Sequence, residues 1–204
     1  MPKKKGPKIH ELKVILVGKT GAGKTNLINV LIGAKFQQSS LSTTVSNFVE
    51  KKMTIENKKY NLEIWDTAGQ EKFHSLSKLF IKESRVVLLV YDITDKSSFE
   101  DINFWFDLVK EVLGNKFVLG LAGNKKDLFL KEIVSESEGQ KKAEEIGATF
   151  KLTSAKTGEG INELIDILLK EYIKRLNEGE FADLESSYQL SESKTKKKKK
   201  KCCN

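Results

Sequence analysis

An α/β fold, a six-stranded and mostly parallel sheet with helices on both faces, is predicted by three observations. Leu12 to Val17, Val86 to Tyr91 and Phe117 to Leu121 are near-continuous apolar runs, the pattern of parallel strands covered on both faces. Helical periodicity fills the intervals between the runs. The first run ends in a glycine-rich turn that opens directly into a helix, Asn26 to Ile32. The elements then follow in the order β-α-β-β-α-β-α-β-α-β-α. Phe48 to Ile55 and Tyr60 to Trp65 flank a polar turn, Glu56-Asn57-Lys58-Lys59, and predict a hairpin that supplies the one antiparallel edge strand. A helix over about 159–176 carries Ile161, Leu164, Ile165, Leu168, Leu169, Tyr172, Ile173 and Leu176 on one stripe, which is core packing. Sheets of this kind bind ligands at the carboxyl ends of their strands.

The chain of 204 residues has room for one domain and its tails. Residues 11–176 are expected to form the domain, with a basic flexible N-terminus at 1–10 and a disordered tail at 177–204 rich in Ser, Glu and Lys. No run approaches the ~20 apolar residues of a membrane-spanning helix. The charged start Met-Pro-Lys-Lys-Lys lacks the apolar segment of a secretory signal. The only cysteines, Cys202 and Cys203, are adjacent and give no disulfide framework, which suits a reducing compartment. Of the net charge of +8, eleven positive charges come from Lys3, Lys4, Lys5, Lys8, Lys194 and Lys196 to Lys201; without them the remainder is −3. The basicity therefore belongs to the ends. A lysine run without aromatic residues offers nothing for bases to stack on, so no nucleic-acid partner is expected.

Four loops, each after a strand, point to one ligand. Gly18-Lys19-Thr20-Gly21-Ala22-Gly23-Lys24-Thr25 satisfies G-x-x-x-x-G-K-[ST] between a buried strand and a helix. Its N–H groups and the helix N-terminus would cradle phosphate, Lys24 would neutralise β- and γ-phosphate charge, and the Thr25 hydroxyl would ligate Mg²⁺. Asp66-Thr67-Ala68-Gly69-Gln70 places a carboxylate beside the metal, a Gly69 N–H near the γ-phosphate, and Gln70 where it would orient an attacking water. Alone, Asp-x-x-Gly also describes an ordinary turn. Asn124-Lys125-Lys126-Asp127 offers, in Asp127, an acceptor for the N1–H and exocyclic amine of guanine, which adenine would leave unpaired. The stem of Lys125 would cover the base. A solvated loop is the bland alternative for this segment taken singly. Thr153-Ser154-Ala155-Lys156 adds a backbone N–H at Ala155 for the guanine carbonyl. It is the weakest of the four alone, but their order and placement together leave chance a small share.

On these motifs the chain resembles the Ras superfamily and, within it, the Rab family, over roughly residues 11–176 and the double-cysteine end. The Rab-like details are Trp65-Asp66-Thr67-Ala68-Gly69-Gln70-Glu71-Lys72-Phe73, Tyr91-Asp92-Ile93-Thr94, Ser97, Phe99 and Cys202-Cys203. The resemblance implies a P-loop NTPase of the Ras-like class, a GTP phosphohydrolase that cycles between GDP and GTP with Mg²⁺. It implies that Gly18, Thr20, Gly21, Ala22, Gly23, Lys24, Thr25, Phe36, Thr43, Gly69, Asn124, Lys125, Asp127, Ser154, Ala155 and Lys156 hold the nucleotide. It assigns the metal to Thr25, Thr43 and Asp66, catalysis to Gln70, Lys24 and Thr43, and an effector surface to Phe48, Trp65 and Phe80. Phe73-His74-Ser75-Leu76 and Leu113-Gly114-Asn115 look like the early-endosomal branch. Implied partners are an exchange factor, a GTPase-activating protein, a GDP-dissociation inhibitor and effectors. Two departures stand out: Thr44-Val45-Ser46-Asn47 replaces the usual Ile-Gly after the switch threonine, and Thr20 replaces the glycine found in Ras.

The chain has two arginines, Arg85 before a strand and Arg175 closing the last helix, neither expected at the nucleotide. Slow intrinsic hydrolysis follows, with the missing groups supplied by an activating protein. The same scarcity argues against a small-molecule kinase, whose basic lid would want arginine. Gln70 argues against a module that binds and never hydrolyses. By resemblance, Cys202 and Cys203 are prenylation sites, and the physics favours two lipid chains over one. Two stray thiols are the alternative. With the lysine run, which adds attraction to anionic lipid, and residues 177–193 as tether, the expectation is the cytoplasmic face of an intracellular membrane with a cytosolic pool.

Overall fold

The computed structural model describes residues 9–37, 47–67 and 74–181. Its six strands are β1 (Ile9–Val17), β2 (Asn47–Ile55), β3 (Lys58–Asp66), β4 (Val86–Asp92), β5 (Val118–Asn124) and β6 (Thr149–Leu152). Its helices are α1 (Lys24–Leu31), α2 (His74–Ile81), α3 (Lys96–Glu100), α4 (Ile102–Leu113), α5 (Glu136–Ile146) and α6 (Ile161–Asn177), with a 3-10 turn at Lys126–Lys131. The strand order is β2-β3-β1-β4-β5-β6. Among the described strands only β2 and β3 run antiparallel, as the hairpin predicts. Their turn is tighter than the four polar residues suggest. Ile55 pairs with Lys58, leaving Glu56 and Asn57 at φ of 48° and 61°, the two positive values of a primed hairpin turn.

Alternation along the central strands divides the core between the two faces of the sheet. Leu12, Val14 and Leu16 of β1 join Val86, Leu88 and Val90 of β4 under α1 and α6. Ile15 and Val17, with Val87, Leu89 and Tyr91, face Ile102, Trp105 and Val109 of α4 and Ala143 of α5. Because β1 lies between β3 and β4, successive crossovers leave its carboxyl end in opposite directions. A crevice opens there, and the site occupies it.

Packing continues past the last helix. After α6 the chain reverses at Gly179, whose N–H reaches Leu176 O at 3.1 Å, and Phe181 enters the core at 1% exposure. Its ring lies 5.2 Å from that of Tyr172 and under the Arg175 guanidinium at 5.4 Å. Truncating a buried ring removes its transfer free energy and leaves a cavity. Phe181→Ala is therefore expected to lower unfolding stability by about 3 kcal/mol, read from urea denaturation. An unchanged midpoint would show that Phe181 lies outside the cooperative core.

Candidate functional site

The crevice begins where β1 ends. Gly18 has φ +146°, and a Cβ there would meet Val90 O at 2.1 Å, so only glycine lets the turn pass against the end of β4. Gly23, at φ +93°, caps α1, and its Cβ would strike the Asn124 amide at 2.3 Å. Lys24 opens the helix and points back into the turn, where its Nζ donates to Gly18 O at 2.7 Å and Lys19 O at 3.0 Å. Only 5% of Lys24 is exposed. Burial pushes its ammonium down to about 8, with the Asp66 charge opposing that drop. Among the described residues only carbonyl oxygens bond this cation, with the Asp66 charge acting from further off, and phosphate would supply a direct counterion.

At the end of β3, Asp66 Oδ2 accepts the Thr25 hydroxyl at 2.6 Å. Hydroxyl and carboxylate oxygens are the donors a hard divalent cation takes, alongside water and ligand phosphates. The Thr20 hydroxyl is buried in the phosphate turn with no hydrogen-bond partner among the described residues, and a Cβ on Gly21 would meet nothing within 4 Å. Donor set, orphaned hydroxyl and open space fit a Mg²⁺-bound polyphosphate. Thr67 ties this loop to β1 through its hydroxyl, which donates to Leu16 O at 2.7 Å.

The second half of the site grows from the ends of β5 and β6. Asn124 is 1% exposed. Its amide donates to Ala22 O at 2.8 Å, while its Oδ1 accepts the Thr153 hydroxyl and the Ala155 N–H, both at 3.3 Å. The phosphate turn and both expected base loops thus meet on one side chain. The Ala155 N–H, expected at a guanine carbonyl, faces Asn124 here. Lys125 stands in the left-handed region at φ 68° and sends its ammonium to Asp92 Oδ2 at 2.6 Å, which stretches its stem along the mouth of the crevice. Asp127 is fixed by the Ser154 hydroxyl at 2.6 Å on Oδ1, with Lys156 Nζ 4.0 Å from Oδ2.

Phe36 follows α1 and is 37% exposed; next to it, the Gln37 backbone is pinned on both sides by the Asn26 amide, at 3.0 and 3.1 Å. Phe48 stacks on Trp65 at 5.0 Å across the β2–β3 pair, and Phe80 of α2 closes on the other side at 5.6 Å. Lys13 Nζ sits 4.4 Å from the Trp65 ring centroid. Thr43, Thr44, Val45, Ser46, Ala68, Gly69, Gln70, Cys202 and Cys203 lie outside the described residues.

Several residues that shape the site lie within the motifs, which assign them no role. Asp92 ends β4 and also accepts the N–H and hydroxyl of Thr94 at 2.9 and 2.8 Å. Thr153 and Thr67 look like turn residues in sequence, and Lys19 looks like a variable position. Their roles depend on partners about 30 to 80 residues away and leave no local signal.

A model of the Ras family matches residues 13–174. The human protein named Ras-related protein Rab-21 is 41% identical over 165 residues, covering 81% of this chain and 73% of its own. The bovine protein of that name gives 41% with 74% of its length covered. That of Geodia cydonium gives 40% over 162 residues, 79% of this chain and 71% of its own.

Asn124→Ala would strip partners from Ala22 O, the Ala155 N–H and the Thr153 hydroxyl at once. A buried polar group left unpaired costs about 1–3 kcal/mol, so a stability loss of about 3 kcal/mol or more is expected. Amide exchange at Ala155 should accelerate with it. Wild-type exchange and an unmoved denaturation midpoint would mean that the three loops hold their places without Asn124.

Proposed function

Since this chain belongs to the Rab family of Ras-related small GTPases, proteins that bind and hydrolyse GTP, we propose that it works as a membrane-anchored switch in vesicle traffic. In this reading it is ordered by GTP and Mg²⁺ and recruits effectors in that state. The observation that carries it is the convergence of the phosphate turn, the Thr25–Asp66 pair and the Asp127 carboxylate on one crevice, joined through Asn124. Asp127, whose Oδ1 accepts the Ser154 hydroxyl, is the acceptor that would select guanine.

In the same reading Lys24 and the N–H groups at the start of α1 hold the β- and γ-phosphates, and Gly18, Thr20, Gly21, Ala22 and Gly23 shape the cradle. Thr25 and Asp66, with Thr43 from the segment before β2, hold Mg²⁺, which when bound neutralises phosphate charge. Lys125 covers the base with its stem, Phe36 flanks it, Ser154 and Lys156 set the Asp127 acceptor, the Ala155 N–H serves the guanine carbonyl, and Asn124 holds the loops together. Gln70 orients the attacking water, and Gly69 approaches the γ-phosphate.

Charge on the transferring phosphoryl group calls for a further cation. Arg85 precedes β4, where its N–H reaches Lys13 O. Arg175 donates to Phe117 O at 2.7 Å, beside the start of β5. Both therefore lie at the amino ends of the strands, across the sheet from the phosphate turn. With no arginine at hand, intrinsic turnover is expected on the order of 10⁻⁴–10⁻³ s⁻¹, and an activating protein completes the site. An exchange factor and a GDP-dissociation inhibitor complete the cycle. Phe48, Trp65 and Phe80 form the effector surface. Phe73-His74-Ser75-Leu76 and Leu113-Gly114-Asn115, which resemble the early-endosomal branch, favour an endosomal membrane over another endomembrane.

Cys202 and Cys203 serve as the lipid-bearing pair behind Lys194 and Lys196 to Lys201. One chain gives only marginal membrane binding, two give stable anchoring, and each lysine near anionic lipid adds about 1 kcal/mol. No described helix is long and apolar enough to cross a membrane.

Nucleotide extracted from the purified protein should be GDP; bound ATP, or none, would overturn the reading. Asp127→Asn turns the acceptor into an amide whose donors oppose those of guanine, while xanthine presents a carbonyl at that position. Preference should shift from GTP towards xanthosine triphosphate in a competition titration. Unchanged GTP affinity would remove Asp127 from the base site. On membrane-bound protein from eukaryotic cells, the terminal peptide should carry two prenyl chains by mass spectrometry; free thiols at Cys202 and Cys203 would refute the anchor.

A further inference from the structure

Lys19, the second residue of the phosphate turn, has no part in the mechanism above, yet it is bonded at both ends. Its carbonyl accepts the Lys24 ammonium at 3.0 Å. Its own ammonium leaves the turn for the Ser97 hydroxyl and, at 3.5 Å, Asp95 Oδ2. Asp95 is itself rigidly set. Its Oδ1 accepts the N–H of Ser97 at 3.0 Å and the Ser97 hydroxyl at 2.6 Å, which caps α3. The turn behind it closes through Ser98, whose hydroxyl accepts the Asp92 N–H at 2.9 Å and donates to Asp95 O at 2.7 Å. From Asp92 the chain of contacts continues to Lys125 at 2.6 Å.

The contacts run without a break from Lys24 through Lys19, Asp95, Ser98 and Asp92 to Lys125. They join the phosphate side of the crevice to its base side along the outer rim, while Asn124 joins the same two sides in the buried interior. Exposure separates the two links. The Lys19 and Asp95 side chains are 29% and 41% exposed, so the outer link is a weak, salt-screened ion pair. A weak link at the mouth bears little of the fold's stability, but it must open whenever the phosphate turn moves away from the 92–98 turn.

We propose that Lys19, through Asp95 and Ser97, is a positioning residue that clasps the phosphate turn to the 92–98 turn and so sets how fast bound guanine nucleotide leaves. The inference rests on the guanine-nucleotide reading above. It separates from a direct role for Lys19 at the phosphates by what Asp95 does. If the pair is a clasp, loss of either partner speeds release. If Lys19 served the phosphates directly, loss of Asp95 would free it for them and slow release.

The test is a chase of full-length protein loaded with fluorescent N-methylanthraniloyl-GDP in Mg²⁺, using excess GDP. Lys19→Met and Asp95→Asn, the latter keeping an acceptor for the α3 cap, should each speed release about twofold to fivefold, the range an exposed ion pair supports. The double variant should be no faster than the faster single one. Raising the salt should speed wild-type release more than that of Lys19→Met. The exchanged pair, Lys19→Asp with Asp95→Lys, should recover slow release, which a merely structural role for either residue would not restore. A wild-type rate in Lys19→Met, additive effects in the double variant, or slower release in Asp95→Asn would each overturn the clasp. Wild-type protein that fails to load GDP at all would bring down the nucleotide reading itself, and the clasp with it.

Discussion

The site depends on one buried amide. Asn124 closes β5 and makes three contacts to two loops that the chain order keeps far from it: Ala22 lies 102 residues before it, Thr153 and Ala155 29 and 31 after it. Each contact satisfies a group that burial would otherwise strand, so the arrangement is over-determined rather than merely allowed. Gly23 belongs to the same constraint, since a Cβ there would occupy the position of the amide. A side chain that names a base loop in sequence is, in the fold, the joint between the phosphate side and the base side.

The sequence is most legible where one physical signal dominates. Continuous apolar runs mark the central strands because both their faces are covered, and β4 is buried at all seven positions. The edges read less well. β1 begins at Ile9 because it pairs with β3 from Ile9–Lys59 onwards, and β3 begins at Lys58 because that residue pairs with Ile55 of β2; polar side chains such as His10 and Glu11 erase the apolar signal there. The primed turn at Glu56 and Asn57 is hidden because its residues lack the glycine that usually marks positive φ. Phe181 is hidden for a related reason: it is a lone aromatic beyond the last periodic stripe, and only its tertiary partners Tyr172 and Arg175 give it a place.

The site shows the same division. A phosphate turn between strand and helix is recognisable because local geometry and residue types agree. The second layer is not, since Asp92 under Lys125, Thr67 on Leu16 and Ser154 on Asp127 are pairings across the sheet. Lys24 shows why that layer matters. Its charge is costly where it sits, burial having lowered its pKa, and it is kept in place by two carbonyls of its own turn and by the Asp66 charge. The phosphate turn is therefore pre-shaped for an anion and under-neutralised without one.

The end of β3 links that anion to the outer surface. Residues alternate faces along a strand. Leu62 and Ile64 pack under α1 and α6, so Asp66 points to the α1 face, where it meets Thr25. Trp65, one residue earlier, packs on the opposite face with Phe80, while Phe48 lies across from it in register. The metal-side carboxylate and the centre of the proposed effector surface are thus separated by a single peptide unit, which is planar and stiff. Lys13 lies over the Trp65 ring and donates to Lys82 O just past α2 at 2.9 Å, which ties this strand end to the end of α2. Site and proposed surface are the two faces of one strand end.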